Sequence, residues 1–195
     1  MRRMPQESDF QRGIPPVLLH ELPARAAACW PDRTALTVDG GHLSYAGLQS
    51  QIECCAAGLL ALGLERGARF AVYLEKRVEA VVASFAAPAA GGVLVPVNPL
   101  LKAGQVAHIL QDAEAQVLVT SAARLAVLAP ALADCPGLRH VVLCDEGAPG
   151  ASAPLAGGIA LPLEALLPAQ GRRAKALRLP MTAPAEPPPR HFPAL

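Results

Sequence analysis

Clustered glycines are the first residues to examine for chemistry, because their bare backbone lets several N–H groups approach a phosphate. The 195-residue chain has 16 glycines, but it contains neither G-x-x-x-x-G-K-[ST] nor G-x-G-x-x-G. Its glycine pairs are isolated and are interpreted as turns: Gly40-Gly41, Gly91-Gly92 and Gly157-Gly158. The sequence therefore offers no recognisable loop for binding a nucleotide phosphate.

Nucleophiles and metal ligands also lack a recognisable arrangement in the sequence. No serine stands in a G-x-S-x-G context, which would place a catalytic hydroxyl at a strand-to-helix turn. None of the histidines has a second histidine four residues on, the spacing of a helical metal pair. The histidines are His20, His42, His108, His140 and His191. We therefore assign no catalytic, cofactor-binding or metal-binding residue.

Two pairs of charged residues remain as candidates. Lys76 and Arg77 follow a predicted strand, where α/β proteins bind ligands, so they could contact an anion. Asp112 and Glu114 lie between a helix and a strand and could form an acid pair for proton transfer. No further residue supports either site, so we favour ordinary solvated charges for both pairs.

The cysteines bear on the compartment of the protein. The chain has five of them, an odd number without regular spacing, which does not form a disulfide framework. They are Cys29, Cys54, Cys55, Cys135 and Cys144. No secretory signal is recognisable, because polar residues follow Arg2-Arg3 where an apolar segment would be needed. Small buried thiols and a cytoplasmic location are the expectation.

Composition excludes several other classes of protein. Hydrophobic residues make up 52% of the chain and charged residues 17%, the opposite of a disordered protein. The net charge is +1 without a basic patch, which argues against binding to nucleic acid. The uncharged stretch Ala80–Leu101 is long enough to span a bilayer, but its prolines and glycines argue against one continuous helix. We expect no membrane span.

Helical and strand patterns alternate along the chain. We predict strands at 34–38, 42–43, 69–74, 93–97, 116–120 and 139–144, and helices at 17–29, 44–62, 77–90, 102–113 and 122–133. The first two strands form a hairpin, whereas the other connections are too long for hairpins. Apolar strands separated by helices indicate an α/β fold with a mostly parallel sheet and helices on both faces.

Several local details accompany this pattern. Ser44 is predicted to cap the second helix and Gly63 to end it in a left-handed conformation. The third helix should bury Val78, Val81, Val82 and Phe85, and Pro130 should kink or end its own helix. The strand at 93–97 should be buried, and the strand at 139–144 should be the last of the chain. Residues 161–167 could form a short helix. We divide the chain into a loose arm at 1–16, a partial domain at 17–170 and a Pro/Arg-rich, disordered tail at 171–195.

Two segments resemble the adenylate-forming superfamily. Leu43-Ser44-Tyr45-Ala46-Gly47-Leu48 is similar to its early L-[ST]-Y-x-E-L motif, and residues 89–99 (AAGGVLVPVNP) are similar to its K-A-G-x-x-x-V-P-[LV]-[DN]-P motif. The resemblance covers roughly residues 18–167 and leans towards acyl-CoA synthetases. It implies the incomplete N-terminal subdomain of an enzyme that uses ATP, Mg²⁺ and CoA to convert a carboxylate into an acyl-adenylate and then an acyl-CoA.

The departures from this family are informative. Gly47 replaces the Glu that would complete a capping box with Ser44, Ala68 replaces an Asp, and Pro88 falls inside a helix. The family's phosphate loop, [YF]-T-S-G-[ST]-T-G-x-P-K-G, would follow soon after Gly171 and is absent, as are its later acidic motif, ribose-binding Asp and catalytic Lys. The matching residues serve the fold, so the resemblance transfers no catalytic or cofactor-binding residue.

Three hypotheses follow for the whole chain. A coding change near Gly171, such as a frameshift, would give a truncated ligase that is inactive alone. Alternatively, the chain is the N-terminal half of a split ligase and needs a separate C-terminal polypeptide as its partner. The third hypothesis is a non-catalytic α/β interaction module. The acid substrate is not specified by any of these residues.

Overall fold

A computed structural model describes residues 18–145, 154–155 and 158–162. The predicted arm at 1–16 and tail at 171–195 lie outside the described residues. The helices are α1 (Glu21–Cys29), α2 (Tyr45–Ala61), α3 (Val78–Ala89), α4 (Ala103–Asp112) and α5 (Ala122–Leu132). The strands are β1 (Thr34–Val38), β2 (Gly41–Ser44), β3 (Arg69–Val72), β4 (Val93–Pro96), β5 (Ala115–Thr120), β6 (His140–Leu143), β7 (Pro154–Leu155) and β8 (Gly158–Pro162).

The main sheet has six strands in the order β4-β3-β5-β6-β8-β7. All neighbouring strands from β4 to β8 run parallel, and only β7 pairs antiparallel with β8. Strands β1 and β2 form a separate antiparallel hairpin, as predicted. The α/β class and the mostly parallel sheet are therefore confirmed.

Side chains of the central strands alternate between two cores, one on each face of the sheet. Phe70 and Val72 pack with α2 and α3 on one face, whereas Ala71 packs with α4 and α5 on the other. This alternation follows from the period of two in a strand. Phe70 and Leu118 are fully buried, and burying such a side chain stabilises by about 1.5–3 kcal/mol. Helices on both faces are thus confirmed.

The ends of α2 and α3 are fixed by local hydrogen bonds. Ser44 caps α2, because its Oγ accepts a hydrogen bond from the Gly47 backbone N–H at 3.2 Å. Gly63 follows α2 with φ +81, and the N–H groups of residues 63 and 64 donate to Leu60 O and Leu59 O. This is a Schellman motif, and Gly91 ends α3 in the same way. The two predicted ends of α2, the cap at Ser44 and the left-handed Gly63, are therefore confirmed.

Strand β4 is an edge strand and not a buried one, so that prediction is wrong. Among the strands that the structure describes it pairs only with β3, and Val93 is 49% exposed. Pro96 is also exposed and has no N–H to donate to another strand, which suits an edge position. An apolar run cannot reveal its place in the sheet, because that place depends on strands distant in sequence.

Three smaller predictions also need correction. The strand at residues 139–144 is not the last, because β7 and β8 follow it. Residues 161 and 162 belong to β8 and not to a helix, whereas 163–167 lie outside the described residues. The buried stripe of α3 is Val82, Ala83, Ala86 and Ala87. Val78, Val81 and Phe85 are only partly buried, since α3 is apolar on several sides and its fully buried face consists mostly of alanines.

Prolines near two helix ends are accommodated in the last turn. Pro88 lies within α3, which ends one residue later at Ala89. Pro130 lies within α5, which ends two residues later at Leu132, in agreement with the expected termination. The uncharged stretch at 80–101 is accordingly divided between α3, a turn, β4 and a loop. Across 18–145 and the described parts of 154–162, no helix is long and apolar enough to cross a bilayer.

We predict that Gly63→Ala lowers the free energy of unfolding by about 1 kcal/mol, because an L side chain disfavours the left-handed conformation. A Cβ there would meet no atom within 4 Å, so the effect isolates backbone conformation. Gly104→Ala is the matched control, since its Cβ would also be free and its φ is not positive. It should stabilise α4 by roughly 0.5 kcal/mol. Urea denaturation of both variants measures this, and equal stabilities would contradict the prediction.

Candidate functional site

The carboxyl ends of β3 and β5 form the best candidate for a binding site. From β3 the chain crosses through α3 on one face to β4, whereas from β5 it crosses through α5 on the other face to β6. The strand order therefore reverses between β3 and β5. In open α/β sheets, ligands bind in the crevice outside the carboxyl ends at such a switch point.

Hydrogen bonds extend the pairing of β3 and β5 beyond the strands. The Tyr73 N–H donates to Val119 O at 2.9 Å, and the buried Thr120 Oγ1 donates to Tyr73 O at 3.1 Å. The Cys144 N–H donates in turn to Thr120 O at 3.1 Å. These bonds hold the residues that follow each strand in fixed positions, which a binding site requires.

A groove of about 430 Å³ opens at this edge of the sheet. This volume lies in the range of small-molecule sites. Its lining is mostly apolar but includes three charged side chains, those of Glu75, Lys102 and Arg124. The lining includes Tyr73, Glu75, Leu101, Lys102, Ser121 and Arg124.

Arg124 is the most connected residue of the groove. Its Nε donates to Glu75 Oε1 at 2.6 Å, and its Nη1 donates to the Pro99 carbonyl at 2.9 Å. Its guanidinium also lies over the ring of Tyr73, 4.4 Å from the centroid. The hydrogen bond from Arg124 lowers the pKa of Glu75 below its usual value, and the same bond raises the pKa of Arg124. The charge of Arg124 is therefore already balanced.

Arg77 is also paired within the chain. Its Nε donates to Glu79 at 2.8 Å, its Nη2 to the Cys144 carbonyl at 3.1 Å and its Nη1 to Asp145 at 3.3 Å. The hydrogen bond from Arg77 lowers the pKa of Glu79. Lys76 is exposed beside it. The structure thus gives Arg77 a structural role, and the anion-binding alternative for this pair finds no support in its contacts.

The second charged pair from the sequence consists of Asp112 and Glu114. It lies at the amino ends of the strands, whereas the groove lies at their carboxyl ends. Glu114 pairs with Arg69 at the start of β3, and the Arg69 Nε donates to the Ala113 carbonyl at 2.6 Å. Asp112 is exposed in the last turn of α4. The contact of Glu114 with Arg69 fits a structural ion pair and does not fit an acid poised for proton transfer.

The thiols and histidines do not assemble a reactive centre in the described residues. The pKa values of Cys55 and Cys144 are both raised to about 12, and burial is the largest cause for each thiol. His42 shares a hydrogen bond of 3.0 Å with the Thr37 hydroxyl, and burial lowers the pKa of His140. Among the described residues, no group of three or more His, Cys, Asp and Glu side chains could hold a metal ion.

Sequence reasoning missed the groove residues Tyr73, Glu75, Ser121 and Arg124. The available signal was their position, because each follows the carboxyl end of β3 or β5. Only Lys76 and Arg77 are candidates from that signal in the sequence, because adjacent cations directly after a strand could contact an anion. The order of the strands was needed to recognise that the ends of β3 and β5 meet.

We predict that Asp145→Asn destabilises the fold by about 1 kcal/mol, because Asp145 accepts a hydrogen bond at the positive N-terminus of α5 and also contacts Arg77. The effect is no larger because the Asp145 side chain is 34% exposed, so solvent screens part of its charge. Asp112→Asn is the matched control, since that exposed carboxylate sits at a helix C-terminus, where negative charge is unfavourable. Chemical denaturation should show a lower midpoint for the first variant only, and an unchanged midpoint would refute the role of Asp145.

We also predict that a thiol reagent at pH 8 labels Cys29 in the folded chain but leaves Cys55 and Cys144 unmodified. Cys29 is exposed, whereas the other two are buried and have raised pKa values. Denaturant should expose all five thiols. Rapid labelling of Cys55 without denaturant, measured by mass spectrometry of the digested chain, would show that the core is open.

The same pKa values give a dependence of stability on pH. The folded chain keeps Cys55 and Cys144 protonated up to about pH 12, whereas the unfolded thiols ionise near 9. Their contribution is complete below pH 9 and is lost as the pH rises towards 12, by at most about 1.4 kcal/mol per pH unit for each thiol. Replacing Cys55 by Ala should flatten this decline, whereas replacing Cys29 should not.

Comparisons with known proteins identify the family. The sequence model of the family described as AMP-binding enzyme matches residues 23–183. An L-proline--[L-prolyl-carrier protein] ligase of Pseudomonas fluorescens is 37% identical over 134 residues, which is 68% of this chain and 26% of the ligase. A long-chain-fatty-acid--CoA ligase of Bacillus subtilis is 29% identical over 116 residues, covering 60% of this chain and 21% of the ligase.

The fold matches as well. The apo structure of Mycobacterium smegmatis MbtA superposes with a TM-score of 0.68 at 25% identity, covering 86% of this chain and 29% of MbtA. The chain spans about a quarter of the length of the proline ligase. The family match includes well over half of the chain and all of the main-sheet strands. The resemblance predicted from the sequence is therefore confirmed, and the chain belongs to the family of AMP-binding enzymes.

Proposed function

We propose that this chain forms the N-terminal scaffold of an AMP-forming ligase that joins a carboxylic acid to a thiol. The family match over residues 23–183 carries this proposal. In the complete reaction, the carboxylate attacks the α-phosphate of ATP, pyrophosphate leaves and an acyl-adenylate forms. The thiol then displaces AMP. The sequence favours CoA as the thiol, and the relatives include both a CoA ligase and a carrier-protein ligase.

Contacts at the carboxyl edge do not fit a triphosphate. At the N-terminus of α5, the Ala122 N–H already donates to Asp145 and the Arg124 N–H to Ser121 Oγ. Arg77 and Arg124 are both paired with carboxylates of the chain. A phosphate would have to displace these partners, so this end of the described sheet does not fit a phosphate of ATP. This supports the proposal that the rest of the ligase binds ATP.

The proposed partner is therefore a C-terminal ligase polypeptide, either continuous with this segment or separate from it. Such a partner would supply the phosphate loop and the catalytic Lys, and the present chain would supply a preformed sheet and its groove. The free cysteines fit a reducing compartment, so we place the protein in the cytoplasm as part of this proposal.

We predict that the purified 195-residue polypeptide does not catalyse ATP–pyrophosphate exchange with fatty, aryl or amino acids. Co-expression with a relative ligase that lacks its matching N-terminal segment should restore exchange, because the missing scaffold is then present. Exchange by the polypeptide alone would refute inactivity. Background exchange in every co-expression, with both chains folded, would favour a non-catalytic module over the split ligase.

A matched pair of variants tests whether recovery depends on this fold. A Cβ at Gly92 would lie 3.1 Å from Ala68 O and 3.2 Å from Ala87 O, which is tight against backbone. A Cβ at Gly104 would meet nothing within 4 Å. Gly92→Ala should therefore reduce the recovered exchange, and Gly104→Ala should leave it unchanged. Equal recovery in the two variants would show that the chain does not act through its folded sheet.

A further inference from the structure

A short loop, residues 98–102, crosses the carboxyl edge of the sheet between β4 and α4, and we call it the strap. Its internal turn is made by Asn98, whose Oδ1 accepts from the Leu100 N–H at 2.9 Å and whose carbonyl accepts from the Leu101 N–H at 3.1 Å. Leu101 and Lys102 line the groove, so the strap forms one of its walls.

Apolar burial does little to hold the strap in place. Leu100 is 87% exposed, and Asn98 is exposed as well. Pro99 and Leu101 are only partly buried, and Leu101 packs against the core beside α4 and α5. A segment with so few buried apolar contacts can open locally without unfolding the domain. Apart from the contact of Leu101 with the core, the strap therefore depends on its polar contacts.

Those polar contacts come from both sides of the switch point. The Arg124 Nη1 of α5 donates to the Pro99 carbonyl at 2.9 Å, and the Tyr73 hydroxyl donates to the Leu101 carbonyl at 2.7 Å. The two donors also touch each other, because the Arg124 guanidinium lies 4.4 Å from the Tyr73 ring centroid. Glu75 orients Arg124 by accepting the hydrogen bond from the Arg124 Nε. Two carbonyls of the strap are thus held by one coupled unit of side chains.

We infer that Arg124 and Tyr73 form a latch that holds the strap closed, and that release of this latch opens the groove at the switch point. Release would withdraw Leu101 from the groove wall while leaving the pairing of β3 and β5 intact, because that pairing uses Val119 O and Thr120. The latch is a conformational device of this fold. It goes beyond the proposed ligase function and does not require it.

Hydrogen exchange at the Leu100 and Leu101 amides measures opening of the strap, since both amides donate within its turn. Arg124→Lys keeps a positive charge near Glu75 but loses the planar fork that reaches Pro99 O and stacks on the ring. Tyr73→Phe keeps the ring and removes only the hydroxyl donor. Each substitution should accelerate exchange at these two amides by about tenfold in the 195-residue chain, as expected for one lost hydrogen bond.

The control is Arg25→Lys, which alters a surface pair with Glu21 at 3.9 Å far along the chain from the strap. It should leave exchange of the strap unchanged, and all three variants should keep the amides of β5 protected. Unchanged strap exchange in both Arg124→Lys and Tyr73→Phe would overturn the latch. Loss of protection in β5 together with the strap in both variants would also overturn it, because the two residues would then support the whole sheet edge.

Discussion

The parallel pairing of β3 with β5 is the interaction on which the rest of the structure depends. Its register places Phe70 beside Val117 and Val72 beside Val119. These residues face α2 and α3, whereas Ala71 and Leu118 face α4 and α5. A slip of one residue would turn the side chains of one strand to the opposite face and disrupt both cores. The same pairing brings together the ends of the strands and creates the groove.

Local physics made much of this fold predictable from the sequence. A serine before an apolar helix and a glycine after it specify the ends of α2, because the capping bonds involve residues only three to five positions apart. The alternation of apolar strands and helices predicted the parallel sheet for a similar reason, since each pattern is contained within one element. The family resemblance rested on motifs at these same turns, Ser44 and Gly91, which is why it could be recognised without any catalytic residue.

Long-range relations account for what the sequence did not reveal. Arg77 meets Asp145 across 68 positions, and Arg124 meets Glu75 across 49. Neither pairing leaves a trace in local spacing, so the arginines look like solvated charges until the fold is known. The edge position of β4 also depends on distant residues. The apolar residues of Val93–Pro96 predict a buried strand unless the order of all strands is known. The groove could not be predicted for the same reason, since its walls come from three separate segments.

The balance of charge at the carboxyl edge connects the fold to the proposed role. A site that binds a nucleotide phosphate needs backbone N–H groups and cations that lack partners before the ligand arrives. Here Asp145 accepts the first N–H of α5, and Arg77 and Arg124 are paired with carboxylates and backbone carbonyls of the chain. These contacts instead join α3, α5 and the strap to the central strands. The edge is therefore arranged to keep its own elements in place, which fits the proposed scaffold role.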